Sequence, residues 1–123
     1  MRFLALLAAL ACQPLWAQKV DAKLECRHLG KDFVYDCTIK LTRGGEPLSG
    51  LQVTVGADMP SMPMAHQIKP VKAQPTKIAG EYRARLELEM SGEWAVKLRL
   101  SGALRDQLIV HYEFTESGTA PQK

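Results

Sequence analysis

The chain has 123 residues, 46% of them hydrophobic, which is enough for one hydrophobic core and, at this length, not for two. Its 16 basic and 13 acidic residues leave a formal net charge of +3, and the two signs are interspersed. There is no basic stripe for nucleic acid and no polybasic patch for a membrane surface.

The N-terminus reads Met1-Arg2, an apolar run from Phe3 to Cys12, then Gln13-Pro14-Leu15-Trp16-Ala17 and a polar chain from Gln18. This order predicts a secretory signal peptide over residues 1–17, cleaved after Ala17. A lipoprotein cut before Cys12 is the rival reading. The apolar run falls well short of the roughly 20 residues that a spanning helix needs, and no later run is longer, so no membrane span is expected in the mature protein. Cleavage leaves 106 residues with 15 basic and 13 acidic side chains. The expected location is the periplasm. In that oxidising compartment the remaining pair, Cys26 and Cys37, is read as a disulfide, with free thiolate ligands as the alternative.

Along the mature chain, apolar residues alternate with polar ones and no stretch repeats at helical spacing. Leu24, Cys26 and His28 share one face of a first strand, and Tyr35, Cys37, Ile39 and Leu41 share one face of a second. If these strands pair about Lys31-Asp32, Cys26 stands opposite Cys37, although a bridge between two sheets fits the spacing as well. Gly44 to Gly50 reads as a loop, and Leu51, Val53 and Val55 open another strand. An edge strand is predicted around Gln67 to Val71, its pairing limited by Pro70 and Pro75. Tyr82 to Met90 and Trp94 to Leu100 are read as a hairpin around Ser91-Gly92-Glu93, dry on one face and charged on the other. Leu108, Val110, Tyr112 and Phe114 supply a last strand, and residues 115–123 are read as a disordered tail. The predicted fold is an all-β, immunoglobulin-like antiparallel sandwich of about seven strands over residues 18–114, preceded by a signal-peptide helix, with a small barrel as the alternative.

Three of the four mature methionines crowd into Asp58-Met59-Pro60-Ser61-Met62-Pro63-Met64-Ala65-His66. Two prolines and a serine make this run a loop rather than a packed strand. Thioether sulfur is a soft, neutral ligand that favours Cu(I), and imidazole suits copper in either oxidation state. Met59, Met62, Met64 and His66 are therefore the candidate metal ligands, set against the plainer reading of an apolar rim packed under one end of the sandwich. Met90 and Trp94, placed on one inward face, are candidate additions as an extra ligand and an aromatic lid, beside the reading as a core pair. No nucleophile elbow, phosphate-cradling glycine loop or histidine-rich oxidase pattern is present, so catalysis is not expected.

The Met-Pro-x-Met-x-Met-x-His run, Gly80-Glu81-Tyr82 and Gly92-Glu93-Trp94 together resemble the FixH/YtkA-like family of exported bacterial domains over roughly residues 50–114. That resemblance implies a small immunoglobulin-like sandwich associated with copper handling, heavy-metal efflux or oxidase assembly, with Met59, Met62, Met64 and His66 as its metal loop. The function expected is Cu(I) buffering, delivery or service to efflux, with a metal-efflux or oxidase-assembly protein as partner. A metal-independent adaptor that docks a partner or small ligand through the same loop is the alternative.

Overall fold

Period-two alternation becomes strands with one buried face, and two sets of such faces close on each other. The computed structural model describes residues 19–62 and 64–121, so the predicted signal peptide and its helix lie outside the described residues. The strands are β1 (Val20–His28), β2 (Val34–Arg43), β3 (Glu46–Pro47), β4 (Gln52–Asp58), β5 (Val71–Lys72), β6 (Gln74–Pro75), β7 (Glu81–Glu87), β8 (Gly92–Ser101), β9 (Asp106–Thr115) and β10 (Gly118–Pro121). One sheet runs β1-β2-β7-β6 with β3 beside β2, and the other runs β10-β9-β8-β4-β5. Every pairing is antiparallel. Apart from β3 and β10, this is the strand order of an immunoglobulin-type sandwich. Trp94, Tyr35, Tyr82 and Phe114 are fully buried between the sheets, among Ile39, Leu41, Leu86, Leu98 and Val53. Among the described residues, no helix is long and apolar enough to cross a membrane.

β1 and β2 pair with Cys26 opposite Cys37, and the two are joined by a disulfide, so the bridge lies within one sheet. The predicted hairpin from Tyr82 to Leu100 is not a hairpin. β7 pairs with β2 and β6, whereas β8 pairs with β4 and β9, so residues 88–91 form an arch from one sheet to the other. Two strands with one dry face each satisfy the alternation equally well when those faces oppose each other across the core. The edge strand expected over Gln67 to Val71 reduces to a bridge at Gln67 and the two residues of β5. Ala73 then carries the chain across to β6 in the opposite sheet.

The expected disordered tail is corrected as well, because residues 118–121 pair with β9 as β10. Thr119 Oγ1 accepts from the Cys26 amide at 2.9 Å, and the Tyr112 hydroxyl accepts from the Leu24 amide at 2.9 Å, so side chains cap the free edge of β1. A turn with Gly118 at φ +114° brings β10 so close that a Cβ at that position would stand 2.8 Å from the Cys26 carbonyl oxygen.

Tyr35 carries a pH prediction. Its ring is buried edge-on to Phe114, with centroids 5.0 Å apart, and its hydroxyl donates to the Thr115 carbonyl at 2.8 Å. Burial, and secondly the Glu116 charge, hold its pKa above the ordinary tyrosine value. The unfolded chain therefore ionises first as pH rises. Stability from this group is complete below the unfolded pKa near 10 and is lost as pH climbs through the higher folded value. Urea midpoints measured across that window are expected to fall in the wild type. Tyr35→Phe should remove this group's share of the fall, while costing about 1 kcal/mol at neutral pH for the lost hydrogen bond.

Candidate functional site

β4 buries Val53, Val55 and Ala57 at every second position, and Met59 continues the series just beyond the strand end, only 5% exposed. The chain then turns back on itself. Gln67 bridges Asp58, the Ile68 amide donates to the Ala57 carbonyl at 3.0 Å, and the Met59 amide donates to the His66 carbonyl at 3.0 Å. An ion pair of 2.6 Å between Lys97 and Asp58 ties the foot of this loop to β8.

Within the loop, the Met62 amide donates to the Met59 carbonyl at 3.0 Å, and the Met62 carbonyl accepts from Ala65 at 3.2 Å and from His66 at 3.0 Å. The His66 to Met62 bond closes one helix-like turn. Met62 is 43% exposed and Met64 90% exposed. Both thioethers are thus held out in water at the tip, while Met59 is held in.

The facing wall is the arch between β7 and β8. His66 Nδ1 lies 2.5 Å from Glu89 Oε2 on this arch. The Met90 carbonyl accepts from the Trp94 indole N–H at 3.0 Å, which fastens the arch to the core. A methyl placed on Gly92 would stand 3.0 Å from Met59 Cε, so the bare glycine backbone, at φ +136°, leaves room for the buried methionine.

Against expectation, the four proposed ligands divide. Met62, Met64 and His66 share the accessible tip, and Met59 is a core residue that anchors it. Met90 is 36% exposed and sits on the arch outside either strand, rather than on an inward strand face. Trp94 is wholly buried opposite Tyr112 and has no free face, so the lid reading is corrected to a core role. Sequence reasoning overlooked Glu89. Its alternation with Leu88 placed it on the charged outer face, and nothing local indicated that the arch would bring it to His66. Beside this pair a groove of about 450 Å³ runs along Gln67, Ile68, Lys69, Arg85, Glu87 and Glu89.

A family model described as YtkA-like matches residues 17–99. The chain belongs to the YtkA-like family. The match starts ahead of β1 and runs almost to the end of β8, so it takes in the disulfide hairpin, the methionine loop and the arch of this YtkA-like domain. No curated protein matches the chain, and no solved structure does.

The donor set at the tip of the YtkA-like domain suits a soft cation. Thioethers and one imidazole favour Cu(I) over hard ions, and water-facing sulfur can be reached without unfolding. Among the described residues, no three of His, Cys, Asp and Glu gather as a metal cluster.

Proposed function

We propose that this is an exported, periplasmic copper-binding protein that takes Cu(I) as cargo at the tip of the loop between β4 and β5, for buffering, for delivery or for passage to an efflux partner. The single observation that carries the reading is the exposure of Met62 and Met64 on a hydrogen-bonded turn that also holds His66. Two exposed thioethers on the same short loop as an imidazole suit a soft ligand shell. Met90 is partly exposed on the arch whose Glu89 meets His66. Met59 supports the loop from inside, and it could ligate only by leaving the core.

Export is supported by the N-terminal sequence pattern and by the disulfide. A second reading, an adaptor that docks a partner through the tip without metal, is favoured by the exposure of Met64.

Replacement by leucine separates the two readings, because leucine keeps the apolar surface and removes the sulfur. In a Cu(I) titration against a chromophoric competitor, the wild type should withdraw copper from the competitor. M62L/M64L is expected to lose about tenfold or more in affinity, roughly 1.4 kcal/mol per factor of ten. Met59→Leu, a near-isosteric core change expected to cost under about 1.5 kcal/mol of stability, should leave the affinity nearly unchanged. A wild type that never competes, or a double variant as good as the wild type, would overturn the copper reading.

A further inference from the structure

We propose that Glu89 is a positioning residue for His66: it holds the imidazole with the proton on Nδ1 and so presents Nε2, with its lone pair, to the cargo ion. The inference rests on the copper reading for its purpose but not for its geometry. His66 is fixed on both sides through its backbone, by its amide to the Met62 carbonyl and by its carbonyl from the Met59 amide, each at 3.0 Å. Its side chain is only 27% exposed, so the ring is not free to sweep through solvent.

The backbone that carries Glu89 is held as well. Glu89 lies between Leu88, which is buried and donates its amide to the Phe33 carbonyl at 2.9 Å, and Met90, whose carbonyl is held by the buried Trp94. An ionised carboxylate can only accept a hydrogen bond. Where the imidazole is neutral, the 2.5 Å approach of Glu89 Oε2 therefore assigns the ring proton to Nδ1 and leaves Nε2 as the basic nitrogen. A carboxylate behind a ligating histidine fixes the tautomer, orients the ring and raises the basicity of the far nitrogen. The two loops thus divide the work, the methionine loop supplying donors and the arch supplying the group that aims one of them.

The test reads the tautomer in the metal-free protein first and the metal second. Long-range proton–nitrogen correlation spectra of the full mature chain, recorded above the pH range where histidine titrates, should show His66 protonated on Nδ1 in the wild type. Glu89→Leu, a change at a half-exposed site, should shift the ring toward the Nε2-protonated form and lower Cu(I) affinity by about 10–100-fold. Glu89→Gln, which keeps an acceptor oxygen, should restore most of both.

Near-ultraviolet circular dichroism like that of the wild type would confirm that the variants keep the core. An Nε2-protonated ring in the wild type, or a tautomer unmoved by Glu89→Leu, would overturn the proposal. If the Nδ1 proton is present and moves with Glu89 while no variant or wild type binds Cu(I), the pairing stands and the copper reading is what fails.

Discussion

Trp94→Ala is expected to lower the free energy of unfolding by about 3–5 kcal/mol, the range for removing a large aromatic side chain from a packed core. Trp94 heads the fully buried side chains and lies on β8 directly opposite Tyr112. Its removal leaves a cavity at the end of the sandwich that bears the methionine loop. The Met90 carbonyl also loses its donor, so the arch carrying Glu89 and Met90 is released from the core. Urea unfolding followed by far-ultraviolet circular dichroism measures the first effect. For a domain of this size each kcal/mol also lowers the melting temperature by roughly 4–8 °C. Trp94→Phe, which keeps much of the volume but not the N–H, should fall well short of the alanine cost. An alanine variant less than about 1 kcal/mol weaker than the wild type would contradict the packing described for β8.

Replacing both cysteines, C26A/C37A, is expected to cost about 2–5 kcal/mol, as for a native disulfide in a small exported domain. The bridge joins residues 11 apart on paired strands, and both cysteines are buried. Two contributions add. The unfolded chain gains the freedom that the cross-link removed, and the core loses two sulfur atoms that fill space beneath Tyr35 and Ile39 on the same face of β2. Comparing oxidised wild type, reduced wild type and the double variant in urea separates the terms, since reduction alone breaks the link but keeps the atoms. Cu(I) affinity should be the same in oxidised wild type and in the variant, because the sulfurs bond each other. A variant that loses copper would return the cysteines to the list of ligands.

Much of this architecture is legible without coordinates because a strand buried on one face must alternate. Tyr35, Cys37, Ile39 and Leu41 are buried as read, and the register about Lys31-Asp32 sets Cys26 against Cys37. The same rule also covers Met59. Leu51, Val53, Val55, Ala57 and Met59 form a single alternating series, and extending it past the strand end places Met59 inside, whatever the prolines beyond it do. The tail was harder to read, since Gly118-Thr119-Ala120-Pro121 is too short and polar to signal a strand. It forms one because the free edge of β1 offers amides that Thr119 and Tyr112 can satisfy.

By itself, the sequence determined the fold class, most of the buried faces and the gathering of methionines near His66, all properties of local pattern and spacing, and it left open whether Cys26 and Cys37 bridge within one sheet or between two. The tertiary structure alone decided which sheet each strand joins, that the segment from Leu88 to Ser91 is an arch rather than a hairpin turn, and hence that Glu89 meets His66. The physical reason is that alternation records which side of a strand is dry but not which neighbour dries it. Residues 23 apart come together only when two sheets have chosen to pack face to face.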